Sequence, residues 1–249
     1  MIDTHAHLDA LEDPAQALAR AREAGVSRVV TIGTTLASCR TALALADEED
    51  GVFVSVGIHP HEAGTTSAAD VEELAPLLEH PKAVAVGETG LDHFRDYAPH
   101  ARQRDLFEAQ AGLAIASDKA LVVHTRSADE ETAAVLTGLP EGARVVLHCF
   151  SSLGLLAPAL ERGWFVSFAG NVSYPRATEL RTAAARIPAS RILAETDSPY
   201  LAPQPVRGQP NEPANVVHTL AALAEARGEN SRDLEQAIDA NARAAFGLP

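Results

Sequence analysis

Positive charge is scarce in this chain. Twenty Lys and Arg stand against 34 Asp and Glu, a formal net charge of -14, and only Lys82 and Lys119 are lysine. That balance excludes a broad basic groove along duplex DNA, although not a small anion site organised by metal ions. Cysteine is almost absent: Cys39 and Cys149 fall in no metal-binding or redox spacing and predict reduced thiols in a cytoplasmic protein. No stretch approaches the roughly 18–20 uncharged apolar residues of a membrane span, so no membrane partner is expected. The first residues lack the basic and then apolar regions of a signal peptide. No glycine-rich phosphate loop follows any predicted strand, which disfavours a doubly wound open sheet. Low-complexity tracts, repeats and composition breaks are also missing, so one domain over residues 1–249 is expected.

What is present is an alternation of short, β-branched strands with amphipathic helices. Strands are predicted at Met1–Thr4, Arg28–Gly33, Val52–Ile58, Ala83–Glu88, Leu121–Thr125, Arg144–Cys149, Phe165–Phe168 and Arg191–Glu195. Helices are predicted at Pro14–Ala24, Leu36–Glu49, Ser67–Glu79, His100–Ser117, Asp129–Thr137, Leu153–Glu161, Ala177–Arg186, Ala214–Arg227 and Ser231–Phe246. Ser67 suits a helix cap, and so does Asn211-Glu212-Pro213, with its proline in the first turn. The Pro-rich run Ala202–Pro213 is expected to be a loop over one face. Eight strands in this alternation predict an α/β fold, the (β/α)8 TIM barrel.

The reactive groups of such a barrel collect at the C-terminal ends of its strands. Strand one ends in His5-Ala6-His7, strand three in His59-Pro60-His61, strand four in Glu88 and strand five in His124-Thr125-Arg126. Strand six ends in His148, and strand eight in Glu195-Thr196-Asp197. Alternation of side chains puts Asp3, His5 and His7 on one face, and pairs Val86 with Glu88, Val122 with His124 and Val146 with His148. Four histidines and two carboxylates suffice for two divalent ions. One takes His5, His7, Glu88 and Asp197; the other takes Glu88, His124 and His148, with Glu88 as the bridge.

Two such ions activate a water and stabilise the attacking and leaving oxygens. They also outweigh the charge of Glu88 and Asp197, which reconciles an acidic chain with a phosphodiester substrate. Glu88, Asp197 and His59 are expected to carry the reaction. Arg126 is the candidate phosphate clamp, and His59 could donate to a phosphate oxygen or leaving group. Asp3 and Glu195, one layer below, are candidates to hold a ligand histidine in its proper tautomer. His61, His93 and His100 read as loop or helix-start histidines. Arg95, Arg126, Arg176 and Arg207 lie in loops expected around the site, with Phe94, Tyr97, Phe150 and Tyr200 as aromatics able to stack one or two terminal bases. Imidazole donors suit Zn, Mn, Ni or Co better than Mg.

These motifs resemble the TatD-type metal-dependent deoxyribonucleases over nearly the whole chain. The resemblance is carried by Asp3-Thr4-His5-Ala6-His7-Leu8-Asp9, Gly57-Ile58-His59-Pro60-His61, Gly87-Glu88-Thr89-Gly90-Leu91-Asp92 and Leu147-His148-Cys149-Phe150-Ser151. It continues through Glu195-Thr196-Asp197-Ser198-Pro199-Tyr200-Leu201, Arg207-Gly208 and Asn211-Glu212-Pro213. The resemblance implies a TIM barrel, a divalent-metal centre on the ligands named above, Mg- or Mn-supported activity, and hydrolysis of DNA, often from a 3′ end. DNA ends or single strands are then the expected partners, with no obligate protein partner. Two departures touch the substrate rim: Thr125-Arg126-Ser127 where the family commonly has Ser-Arg-Asp, and His93 where it commonly has Tyr.

Two other readings fit parts of the pattern. A dinuclear amidohydrolase or esterase also begins with H-x-H, but commonly bridges its metals with a carboxylated lysine late in strand four, where this chain has Glu88. A non-catalytic metal- or anion-binding barrel would leave the water-activating set without a purpose.

Overall fold

The structure, a computed structural model, describes residues 1–95 and 97–249, Ala68 through its backbone alone. Eight strands follow in order: β1 (Ile2–Ala6), β2 (Arg28–Ile32), β3 (Val52–Val56), β4 (Ala83–Asp92), β5 (Ala120–Arg126), β6 (Val145–Leu147), β7 (Phe165–Phe168) and β8 (Ile192–Ala194). Each pairs in parallel with the next. The last meets the first through a parallel bridge between Ala6 and Ser198, and the Asp197 amide donates to the His5 carbonyl at 2.9 Å. The sheet therefore closes as the expected barrel, and its closure brings Asp197 beside His5 and His7.

The helices are α1 (Pro14–Glu23), α2 (Leu36–Glu48), α3 (Ala68–Glu72), α4 (Leu74–Leu78), α5 (His100–Ala116), α6 (Asp129–Thr137), α7 (Leu156–Arg162), α8 (Thr178–Arg186), α9 (Val216–Arg227) and α10 (Ser231–Phe246). The helix predicted over Ser67–Glu79 is two short ones, because Pro76 has no amide to return to the Glu72 carbonyl; Ser67 does cap the first, in a reciprocal box with Asp70. Among the described residues no helix is long and apolar enough to cross a membrane.

Two apolar layers hold the barrel. The larger lies between strands and helices; the smaller fills the barrel with Ile2, Val30, Phe53, Val84, Val122, Val146, Phe165 and Leu193, joined by Ala242, Ala245 and Phe246 of α10. Burial of Phe246, 4% exposed, contributes about 1.5–3 kcal/mol toward holding α10 as a plug at the bottom. Polar groups are thereby concentrated at the other end.

Strand β4 departs most from expectation. It continues past Glu88 to Asp92, pairing Thr89 with Val123, Gly90 with His124 and Asp92 with Arg126 after a register shift. Thr89-Gly90 reads as the start of a loop, but Gly90 sits at φ 139 against the β5 backbone, where a Cβ would collide with the His124 carbonyl. Two buried glutamines of α5 fix this end of the sheet. Gln103 accepts from the Asp92 amide at 2.8 Å, and Gln110 accepts from the Ile58 amide at 2.8 Å while donating to Thr89 Oγ1 at 2.7 Å.

Candidate metal centre

Glu88, 2% exposed, lies at the middle of the open end, and its two oxygens face different imidazoles. Oε2 lies 3.4 Å from His5 Nε2 and 3.8 Å from His7 Nε2. Oε1 lies 2.8 Å from His124 Nδ1, 2.8 Å from His148 Nε2 and 3.3 Å from His59 Nε2. Asp197 Oδ1 closes the first group, 3.5 Å from His7 Nε2 and 3.8 Å from His5 Nε2. Among the described residues three sets of donor atoms are compact enough for an ion: His5, Glu88 and His148; His5, His7 and Asp197; His59, Glu88 and His124.

Buried acids stand behind two of the rings. His148 is strung between Glu88 and Glu195, whose Oε1 lies 3.2 Å from its Nδ1 and also accepts from the Cys149 amide at 2.7 Å. His124 is strung in the same way between Glu88 and Asp92, whose Oδ2 lies 3.3 Å from its Nε2. A carboxylate at the far nitrogen takes that N–H and turns the other nitrogen toward the centre. The Asp92 Oδ2 atom also meets His61 Nε2 at 2.8 Å, while Oδ1 accepts from the amides of Phe94 at 3.0 Å and Arg95 at 2.9 Å.

His59 differs from its neighbours. Its Nδ1 accepts the His61 amide at 3.2 Å, so the neutral ring carries its proton on Nε2, the nitrogen that faces Glu88. Burial, opposed by the Glu88 charge, lowers its pKa to about 4 and keeps it neutral. A ligand must present a lone pair, and His59 presents a donor. That donor makes His59 a poor ligand, although its nitrogen lies within reach of the Glu88 group.

Several expectations need correction. Asp3 does not reach a ring: β1 shifts register between Asp3 and Ala6, and the carboxylate instead accepts from Thr196 N at 2.9 Å and Thr196 Oγ1 at 2.6 Å. Burial, opposed by the Thr196 hydrogen bonds, raises its pKa to about 8. Val86 and Glu88 do not share a face, because the shift in β4 places Val86 in the outer layer. Phe150 is 2% exposed and packs edge-on against Phe168, so it offers no ring to a base. Arg126 is exposed at the rim with its guanidinium 3.9 Å from the Phe94 ring centre.

Asp92, Gln103, Gln110 and Asn211 are the working residues that strand-end reasoning missed. Asn211 donates to the carbonyls of Thr196 at 2.9 Å and Tyr200 at 2.6 Å, and so fixes the loop that carries Asp197. For the glutamines a signal existed: two polar residues seven apart on the apolar stripe of a helix.

The donor set fits divalent ions. His5 and His7 bring their Nε2 atoms to 3.4 Å with two carboxylates beside them, an arrangement that needs a proton or a cation between its parts. No lysine can bridge. Lys82 lies over the Phe53 ring and Lys119 donates to the Ala83 carbonyl at 2.7 Å, both at the opposite end of the barrel.

Without metal, protons do this work. Burial alone would depress His148 and His124, but Glu88 with Glu195 or Asp92 outweighs it and raises both; His7 is raised through Asp197 and Glu88. Burial disfavours the Glu88 carboxylate, yet His148 and His124 hold its pKa well below the usual range. A raised histidine stabilises the metal-free fold fully below its unfolded pKa of about 6.5, and that contribution is lost as pH rises through the folded value. Metal binding displaces the same protons. The melting-temperature gap between loaded and stripped protein should therefore widen as pH climbs above about 6.5, with protons released on titration. Melts and calorimetry in buffers of different ionisation enthalpy read both; a gap that narrows would contradict the exchange.

Asp92→Asn should separate the support of His124 from the fold. The amide keeps an oxygen for the Phe94 and Arg95 amides but offers a donor to His124 Nε2, and the ring must turn its proton toward the centre. Affinity for one ion is expected to fall about 10–100-fold while the other stays near wild type. Competition titration with a chromophoric chelator measures it, and equal affinities in both proteins would dismiss the role.

A family model described as TatD related DNase matches residues 2–247. A Mycobacterium tuberculosis protein described as an uncharacterized metal-dependent hydrolase TatD is 38% identical over 260 residues, covering 100% of this chain and 98% of that one. A Klebsiella pneumoniae protein described as a 3′-5′ ssDNA/RNA exonuclease TatD is 37% identical, covering 95% of this chain and 92% of that one. The crystal structure of YjjV, a TatD homologue from Escherichia coli, superposes with a TM-score of 0.93 at 33% identity, covering 100% of this chain and 98% of that one.

Proposed function

The chain belongs to the TatD related DNase family of metal-dependent hydrolases, and on that footing we propose that it removes nucleotides from the 3′ ends of single-stranded nucleic acid, with two divalent ions held across Glu88. The observation that carries the reading is the division of donors between the two Glu88 oxygens, His5 and His7 on one and His124 and His148 on the other. The polarity and the single strand rest on relatives such as the Klebsiella pneumoniae exonuclease.

His5, His7, Glu88 and Asp197 would hold one ion, and Glu88, His124 and His148 the other. Mg or Mn is the expected working pair, with Zn, Ni or Co also suited to the imidazoles. Such a pair supplies a nucleophilic water at neutral pH and positive charge for the phosphate. The protein does the rest. Asp197 stands where it can take the proton of the attacking water. His59 donates through Nε2 to a phosphate oxygen or the leaving oxygen. Glu195 and Asp92 keep His148 and His124 turned inward. Arg126 stands two residues beyond His124, where a neighbouring phosphate of the strand would lie.

The test is a matrix of metals and substrates on chelator-stripped protein, using a 5′-labelled single strand and the matching duplex. Successive shortening of the single strand from its 3′ end, restored by Mg or Mn, is expected. Internal cutting, or no hydrolysis with any metal, would contradict the reading.

A further inference from the structure

Among the described residues the rim carries three large exposed aromatic rings: Phe94 is 58% exposed, Tyr97 62% and Tyr200 57%. Two of them stand at opposite ends of Glu88. Tyr200 meets the His7 ring edge-on at 5.8 Å, on the side of the Oε2 oxygen. Its backbone is fixed by donation to the Asp197 carbonyl at 2.8 Å and by Asn211, which holds its carbonyl. Phe94 stands on the Oε1 side. Its amide is held by Asp92, the residue behind His124, and its ring is backed by Arg126. Each ring is thus mounted on backbone that also positions a group of the centre, and each keeps much of its surface free.

We propose that Tyr200 and the Phe94–Arg126 stack are two base platforms, one on each side of the scissile phosphate, so that the site grips a dinucleotide unit of a single strand. This rests on the phosphodiesterase reading and deepens it. Every base has a π face, so stacking on Tyr200 or on Phe94 accepts any sequence, and the guanidinium adds attraction for a base without reading its edge. Platforms at opposite ends of the centre also require neighbouring bases to leave one another. A duplex resists that separation, and an unpaired end does not. Strand preference then arises from the rings, in a chain whose acidity leaves little general attraction for nucleic acid.

The experiment is a coupling cycle between ring and base. Mn-loaded wild type, Tyr200→Leu and Phe94→Leu are given three single strands: complete, abasic at the 3′-terminal position, and abasic at the penultimate position. The measured quantity is kcat/KM for release of the terminal unit. On the complete strand each substitution is expected to cost about tenfold, within the range for one base–aromatic stack. Tyr200→Leu should lose its effect on one abasic strand and Phe94→Leu on the other. Tyr200→Phe and Phe94→Trp, which keep a ring, should regain the dependence on the base, and bound metal and melting temperature establish that each variant is folded and loaded. Full effects of both substitutions on both abasic strands, coupling of both rings to one position, or no effect on the complete strand would overturn the platforms and leave the hydrolase reading intact. Failure of the wild type to cleave any strand would remove both.

Discussion

Glu88→Gln is expected to leave a folded barrel that binds both metal ions far more weakly than the wild type. The amide keeps the size of the side chain and one acceptor, but no longer offers an anionic oxygen to each group of imidazoles. Metal sites of about four ligands bind with roughly 10–16 kcal/mol, or about 3 kcal/mol per ligand, so each ion should lose on the order of 100-fold in affinity. When metal is limiting and both ions are required, the losses multiply to about 10⁴-fold in hydrolysis. On the proposed assignment, Asp197→Asn and His124→Asn should each weaken one ion and spare the other. Elemental analysis beside the rate distinguishes the cases. Two tightly held ions in Glu88→Gln would mean that the carboxylate does not join them.

Stripping metal from the wild type should lower its melting temperature by about 10–20 °C. An ion present at about 100 times its dissociation constant stabilises the folded state by ~2.7 kcal/mol. Two ions double that, and a chain of this size shifts by about 2–4 °C per kcal/mol. Under the same metal concentration Glu88→Gln should shift by only about 2–3 °C between the loaded and stripped states. The stripped wild type should stay folded, since its imidazoles remain paired through shared protons with Glu88, Asp92, Asp197 and Glu195. A shift under about 3 °C in the wild type would mean that at most weak binding occurs.

Much of this centre could be read before any fold was known, for a physical reason. Parallel barrels bury both faces of their strands, so a His, Glu or Asp at a strand end is costly unless several meet. His5, His7, Glu88, His124, His148 and Asp197 do meet. Strand parity located His124 above Val122 and His148 above Val146, because β5 and β6 are regular there. It failed where the ladder is irregular. The shift in β4 reversed the relation of Val86 to Glu88, and the shift in β1 sent Asp3 to Thr196. Asp92 was hidden because the segment after Glu88 reads as a connection, when Gly90 is there to let β5 pass. The role of His59 depends on one backbone amide, that of His61, and no pattern of side chains encodes such a contact.

Anomalous diffraction from crystals of the Mn-loaded protein tests the centre most directly. Two peaks about 3.5–4 Å apart are expected, the spacing of paired ions that act on one phosphate. One should adjoin the Glu88 oxygen that faces His5 and His7, and the other the oxygen that faces His124 and His148. A single peak at full loading, or two peaks that Glu88 does not join, would contradict the two-ion account.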